Sequence, residues 1–139
     1  MLCAALAGGG IAFQVLMNTQ LRVAAGSALW ASATQFLVGC SALTFVALLT
    51  REPLPQTVRG PWWMWAGGFF GATYIVVSVL ASRRLGTAVL LASTVVGQLI
   101  TALIADHYGW LGAPVVRLSS NRVLGAALLI AGVLLMRGR

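Results

Sequence analysis

The chain has 139 residues, of which 60% are hydrophobic and only 8% are charged, with a formal net charge of +7. A typical soluble domain carries roughly 25% charged residues, and a domain of this length could not hide so much apolar surface from water. These values exclude an ordinary soluble fold. All basic residues are arginines that stand singly or in pairs between apolar runs, which indicates helix ends near lipid headgroups and not a nucleic-acid-binding face.

Five apolar runs follow one another along the chain, at about 2–21, 28–49, 62–81, 86–105 and 120–137. A helix needs roughly 20 apolar residues to cross a hydrocarbon core about 30 Å thick. The fifth run is the shortest, and it reaches a full span by starting near Ser119 or by tilting against short neighbours. We therefore predict an all-α integral membrane protein with five transmembrane helices in a single domain, 1–139.

The connections between these runs are short. Two closely spaced prolines in 51–55 predict a loop, and Pro61 suits the first turn of the third helix. Residues 82–86 predict a tight turn, and the longest connection, 106–122, predicts a loop with a short interfacial helix. Tryptophans near the ends of the runs are typical of the aromatic belt at a membrane boundary: Trp30, Trp62, Trp63, Trp65 and Trp110.

The arginines do not orient the chain. The positive-inside rule compares basic residues in the connections on the two sides of the membrane. One side holds Arg51, Arg59, Arg117 and Arg122, and the other holds Arg22, Arg83, Arg84, Arg137 and Arg139. Either the chain has one orientation that this count does not resolve, or it inserts both ways and forms an antiparallel dimer. The second arrangement would resemble transporters built from inverted repeats, whose substrate binds where the repeats meet.

Neutral polar side chains are the candidates for function, because no acidic or basic residue interrupts the apolar runs. That absence argues against a buried-carboxylate proton relay. Side-chain amides are costly to leave unpaired in hydrocarbon, so we predict that they line a polar cavity. The alternative is hydrogen bonding between helices, worth about 0.6 kcal/mol per contact, which is the favoured interpretation for Ser and Thr. The predicted substrate contacts are Gln14, Asn18, Gln98, Gln35, Tyr74, Thr94 and Thr101.

The depth of these residues supports a shared site. Gln14 and Asn18 are four residues apart and share one helix face. At about 1.5 Å per residue, Gln14, Gln35 and Tyr74 lie about 4–6 Å from the middle of their spans, displaced toward the same side. Gln98 is displaced toward the other side, so an inverted partner would mirror each cluster across the midplane.

Small residues predict where helices approach closely in lipid. Gly67 and Gly71 have GxxxG spacing, which indicates a packed helix without naming its partner. The complete set of predicted packing glycines is Gly10, Gly39, Gly67, Gly71, Gly97, Gly125 and Gly132.

Neither a metal site nor a cofactor nor an enzyme is expected. Cys3 and Cys40 fall within apolar runs without metal-ligand spacing, which predicts buried, unreactive thiols. His107 is the chain's single histidine and has no other ligands nearby in sequence. Asp106 and His107 could titrate during gating, although an ordinary pair at a helix end is the favoured interpretation.

Several short motifs resemble those of one known family: Gln14 with Asn18 and Leu21, Gly26-Ser27, Phe36-Leu37-Val38-Gly39, Pro61-Trp62-Trp63 with Gly67, Gly68 and Gly71, Leu85-Gly86-Thr87-Ala88, Gly97-Gln98, and Asp106-His107-Tyr108-Gly109. With these motifs the whole chain resembles the YdcZ-like five-helix members of the drug/metabolite transporter superfamily. The resemblance implies a half-transporter that pairs with an inverted copy of itself or with a paralogue. Related four-helix exporters use a membrane-embedded Glu in helix one; this chain has no acidic residue there, which puts proton-coupled cation export in doubt.

The combined expectation is a multi-pass protein of the bacterial inner membrane that moves a small organic metabolite or drug-like compound by alternating access. Helices one to four would line the pathway, and helix five would mainly support the dimer. A passive channel and a non-transporting accessory subunit remain as alternatives.

Overall fold

The structure is a computed structural model that describes residues 1–53 and 60–137. Within them the chain forms five α-helices: α1 (Leu2–Ala25), α2 (Ala28–Leu49), α3 (Ala66–Leu85), α4 (Thr87–Tyr108) and α5 (Ser120–Arg137). Two 3-10 turns, Trp62–Trp65 and Trp110–Gly112, precede α3 and follow α4. All five helices are long and apolar enough to cross a membrane. The predicted all-helical membrane fold is confirmed.

Glycines end the helices where arginines had been expected to do so. The first helix continues past Arg22 to Ala25 and stops at Gly26, whose φ of 67° lies in the left-handed region that glycine adopts without strain. Similarly, α3 continues through Arg83 and Arg84. An arginine marks the membrane boundary, but its long side chain is compatible with the helix, so the backbone does not end there.

Some sequence-based expectations concern residues outside the described ranges. They are the loop positions Leu54 and Pro55, and Arg59 and Arg139 of the arginine count.

The chain forms two compact units, Met1–Arg84 and Leu85–Arg139. In the first, α1 and α2 make a helical hairpin whose connection is only Gly26 and Ser27. The Ser27 Oγ accepts a hydrogen bond from the backbone N–H of Trp30 and caps the start of α2. This tight connection makes α1 and α2 antiparallel neighbours.

The buried face of the first unit is half polar. Its apolar members are Val15, Ala31, Ile75 and Val79, and its polar members are Asn18, Ser32, Ser78 and Ser82. Most large apolar side chains lie on the outside of the helices. This distribution suits a bundle in lipid, where small and polar residues hold helices together because lipid tails are as apolar as leucine.

In the second unit, the connection after α4 folds back on the end of that helix. The N–H of Val116 donates to the backbone oxygen of Asp106 at 2.8 Å, and the N–H of Leu118 donates to Nδ1 of His107 at 3.5 Å. Arg122 at the start of α5 forms a 3.2 Å ion pair with Asp106. Asp106 and His107 therefore fasten this connection, which agrees with the favoured structural interpretation. Where the sequence predicts a short interfacial helix, the structure has a three-residue 3-10 turn, Trp110–Gly112, in which Leu111 has a positive φ of 57°.

One of the predicted packing glycines lies at a helix contact within the chain. A Cβ atom at Gly71 would be 3.6 Å from Cζ of Phe36, so α3 approaches α2 at that point. At the other predicted packing positions a Cβ would meet no described atom within 4 Å: Gly10, Gly39, Gly67, Gly97, Gly125 and Gly132. Their role in packing stays a prediction.

The cysteines differ from expectation in one respect. Cys3 and Cys40 are free thiols, but both are exposed on the outside of their helices and are not buried. In a membrane bundle the apolar side chains face lipid, so an apolar run does not predict burial inside the protein.

Candidate functional site

The contact between α1 and α3 is polar and closed. The hydroxyl oxygens of Thr19 and Ser82 lie 3.0 Å apart, and Nη1 of Arg22 donates to the backbone oxygen of Val79 at 3.4 Å. Both hydroxyls also lie within hydrogen-bonding distance of carbonyls of their own helices. Because these groups already have partners, this contact is structural and leaves little bonding capacity for a ligand.

An open groove with different properties lies between α1 and α2. Its volume is about 580 Å³. Two of the predicted site residues, Asn18 and Gln35, lie on its wall, one on each helix. The complete lining is Met17, Asn18, Gln20, Leu21, Ala24, Thr34, Gln35 and Val38. The structure thus brings together a pair of amides that lie 17 positions apart in the sequence.

The hairpin explains why these two amides meet. Asn18 lies eight positions before Gly26, and Gln35 lies eight positions after Ser27. At about 1.5 Å per residue, both lie about 12 Å from the connection and therefore at the same level of an antiparallel pair. Neighbouring positions on the two helices, Val15 and Ala31, are buried, which turns this side of each helix toward the bundle.

The two amides are both at least partly buried. Asn18 is buried, with 5% of its surface exposed. The Oε1 atom of Gln35 is also buried, and it has no hydrogen-bond partner among the described residues. A buried carbonyl oxygen without a donor is costly, by about 1–3 kcal/mol in proteins. This free acceptor in an otherwise largely apolar groove is the feature that points to a ligand.

The remaining predicted contacts in the first unit, Gln14 and Tyr74, do not line the groove. Gln14 is half-buried on α1, one turn before Asn18, and Tyr74 is half-buried on α3. Their assignment to a substrate site stays a prediction.

The predicted contacts on α4 belong to the second unit. Thr94 is half-buried and donates to the carbonyl of Leu90 at 2.9 Å. Thr101 is exposed and donates to the carbonyl of Gly97 at 2.9 Å. These bonds within one helix are the ordinary behaviour of membrane hydroxyls. Gln98 is exposed, and its role also stays a prediction.

Sequence reasoning did not select two polar residues of the groove, Gln20 and Thr34. Gln20 is two positions from Asn18 and had no place on the Gln14–Asn18 face. The Thr34 hydroxyl donates to the carbonyl of Trp30 at 2.9 Å. The usable signal was the two-residue connection at Gly26-Ser27, since it fixes which levels of α1 and α2 face each other.

The second unit has a smaller groove between α4 and α5, with a volume of about 290 Å³ and the Asp106–Arg122 pair on its wall. Among residues 1–53 and 60–137, no group of His, Cys, Asp and Glu side chains is arranged to hold a metal ion.

Comparison with known proteins identifies the family. A family model described as "Putative inner membrane exporter, YdcZ" matches residues 1–135. No curated protein and no solved structure matched the chain. The family match covers nearly the whole chain and agrees with the five apolar helices. The chain therefore belongs to the YdcZ family of the drug/metabolite transporter superfamily and is a multi-pass membrane transporter of the inner membrane.

Proposed function

We propose that this protein is a secondary transporter that moves a small organic compound by alternating access, with the α1–α2 groove as half of its binding site. The observation that carries the proposal is the buried, unpaired Oε1 of Gln35 beside Asn18. A preformed groove with apolar walls and a few convergent polar groups is typical of small-molecule sites. The family description, an exporter, supports outward movement.

An inverted second copy would complete the site. The groove is open along one side, and an antiparallel partner would supply a further wall with its own Asn18 and Gln35. Two equivalent half-sites related by a two-fold axis in the membrane plane are the arrangement that alternating access uses in inverted-repeat transporters. The near-equal division of arginines between the two sides supports insertion in both orientations.

The far end of the chain offers a surface for that partner. No residue of α5 is buried, and Gly125 and Gly132 lie seven positions apart on the same face. α5 packs against α4, and Gly125 lines the groove between them. A Cβ at Gly125 or Gly132 would meet no described atom within 4 Å, and such space beside a small residue allows close approach of a further helix in lipid. We assign α5 to the contact between copies, whereas α1 and α2 bind the solute.

Counterflow in proteoliposomes tests this function. Vesicles containing the purified protein and loaded with a metabolite mixture should take up labelled solutes by saturable exchange. Gln35→Leu should abolish that exchange. Ser41→Ala is the matched control, because Ser41 lies on the same helix, is exposed, and donates to its own helix carbonyl at Leu37.

The same assay separates the alternative functions. Flux that rises without saturation and shows no exchange would identify a passive pore. A protein that exchanges no solute, and always co-purifies with one other membrane protein, would be an accessory subunit. Either result would overturn the proposed function.

A further inference from the structure

We infer that the transported compound is uncharged and carries a carboxamide-like group, in which an N–H donor lies beside a carbonyl acceptor. A primary amide, a lactam and a urea share this chemistry. The inference rests on the proposed function, since it takes the α1–α2 groove as the transport site. Three properties of the groove lead to it: its charge, its free hydrogen-bonding groups and its apolar walls.

The groove has no negatively charged side chain that could pair with a cationic solute. None of the residues that line the groove is ionisable. The whole chain has only two acidic residues, Glu52 and Asp106. Glu52 lies beyond the end of α2, and Asp106 is held by Arg122 at 3.2 Å. A second copy of the same chain would bring no other carboxylates. A cation in this groove would be desolvated without a counter-ion, which is strongly unfavourable in hydrocarbon.

An anion lacks a partner for a similar reason. The nearest arginine along α1 is Arg22, one turn after Asn18. Its Nη1 atom donates to the Val79 carbonyl of α3, and Arg22 is not part of the groove lining. A carboxylate in the groove would therefore meet amides and apolar side chains without a paired positive charge. A neutral solute avoids this cost.

The polar groups of the groove can bind both a donor and an acceptor of the ligand. The free Oε1 of Gln35 needs an N–H or O–H group. The side-chain amides of Asn18 and Gln20, which also line the groove, each carry N–H groups that can donate to an acceptor. A carboxamide supplies both within one planar group, because its nitrogen donates and its oxygen accepts.

The apolar walls of the groove indicate the chemistry of the rest of the transported compound. Met17, Leu21, Ala24 and Val38 cover most of the groove, so the amide-like group should be attached to a hydrocarbon or aromatic body. A volume of about 580 Å³ lies within the range of small-molecule pockets, which is roughly 300–1,000 Å³. Met17 is flexible and polarisable, and it can adapt to bodies of different shape.

Four probes with the same ring test this inference on the purified full-length protein. They are benzamide, N,N-dimethylbenzamide, the benzamidinium cation and the benzoate anion. Thermal unfolding in detergent reports binding, because a ligand that binds the folded state raises the apparent Tm. Benzamide at millimolar concentration should raise the Tm. N,N-dimethylbenzamide keeps the carbonyl but lacks the N–H, and it should raise the Tm far less. Benzamidinium and benzoate should have no effect.

Two variants of Gln35 sharpen the test. Gln35→Leu should weaken benzamide binding at least tenfold, while the Tm without ligand stays the same or rises because an unpaired buried polar group is removed. Gln35→Glu should gain a response to benzamidinium, since it places a carboxylate where the cation had no partner. Ser41→Ala should behave like the wild type. The probe comparison on the wild type does not depend on how the variants fold.

Several results would overturn the inference. They are an equal response to benzamide and its dimethyl derivative, a wild-type preference for either charged probe, no response to benzamide, and unchanged benzamide binding in Gln35→Leu. Counterflow then distinguishes an error in the substrate class from an error in the transport function. Exchange of a charged solute but not of benzamide would reject the carboxamide class of substrate, whereas the proposed transport function would be retained. No exchange of any solute would reject the proposed function itself.

Discussion

The hydroxyl oxygens of Thr19 on α1 and Ser82 on α3 lie 3.0 Å apart, and this contact joins the two helices at the residue that directly follows the groove amide Asn18. Each hydroxyl also lies near a carbonyl of its own helix, Val15 for Thr19 and Val79 for Ser82. The contact is thus a shared bond, and removal of one partner does not strand the other.

This sharing predicts a small energetic coupling. Thr19→Val and Ser82→Ala should each lower the free energy of unfolding by about 0.6 kcal/mol, and a double-mutant cycle should give a coupling below about 1.7 kcal/mol. Unfolding in mixed detergent measures both quantities. A coupling indistinguishable from zero would show that the α1–α3 contact contributes no stability through this pair.

The Asp106–Arg122 pair predicts a stability effect without a transport effect. Both side chains are about two-fifths exposed. Asp106→Asn or Arg122→Gln should therefore lower the free energy of unfolding by no more than about 1 kcal/mol, and by less at high salt. The double variant with the two charges exchanged, Asp106→Arg with Arg122→Asp, should recover part of this lost free energy. Counterflow by Asp106→Asn should match the wild type, and a loss of exchange there would show that Asp106 takes part in transport.

We expect the addition of a single methyl group at Gly109 to lower stability more than the loss of the Asp106–Arg122 pair does. Its φ is 64°, and a Cβ would lie 2.8 Å from Cγ2 of Val115. Gly109→Ala should therefore destabilise the second unit by about 1–2 kcal/mol, since the left-handed conformation and the contact both oppose the methyl group. Gly97→Ala, inside the helix that Gly109 follows, is the control, because a Cβ there meets no described atom within 4 Å. Equal Tm losses in the two variants would contradict this account.

Hydropathy predicted the five helices well but not the rotation of each helix about its axis. A helix in lipid is apolar on nearly every side, so the pattern of apolar residues gives little information about which side faces its neighbour. Asn18 and Gln35 could be selected because amides are rare and costly in hydrocarbon. The same criterion applies to Gln20, which was missed because it does not share the Gln14–Asn18 face. Thr34 could not be selected, since its place in the groove depends on the packing of α1 against α2. Helix ends were misplaced at Arg22 and Arg83 because charge marks the membrane boundary, whereas Gly26 and Gly86 end the backbone helix.

Insertion in both orientations predicts a specific topology result. Reporters fused after the C-terminus should be detected on both sides of the membrane, because the arginines favour neither orientation. Adding two arginines to the connection at Gly26-Ser27 should shift all molecules to one orientation and reduce exchange. Co-expression with a chain biased the opposite way should restore exchange. Reporter signal from one side alone in the wild type would contradict an antiparallel homodimer, and an inverted paralogue would then be the expected partner.

The α5 surface predicts how the copies associate. Gly132→Leu adds bulk where a Cβ meets no described atom of the same chain within 4 Å, so the chain should keep its fold. Gly125→Leu adds bulk on the wall of the α4–α5 groove, so its Tm is measured together with its association. In a dimer joined through this face, the added side chains would separate the helices and weaken association. Ala127→Leu is the control, since it lies about 200° around the helix from Gly125. Crosslinking and the mass of the detergent-solubilised protein should show loss of dimer in the glycine variants alone. Intact dimers in all three variants would place the contact between copies on another helix.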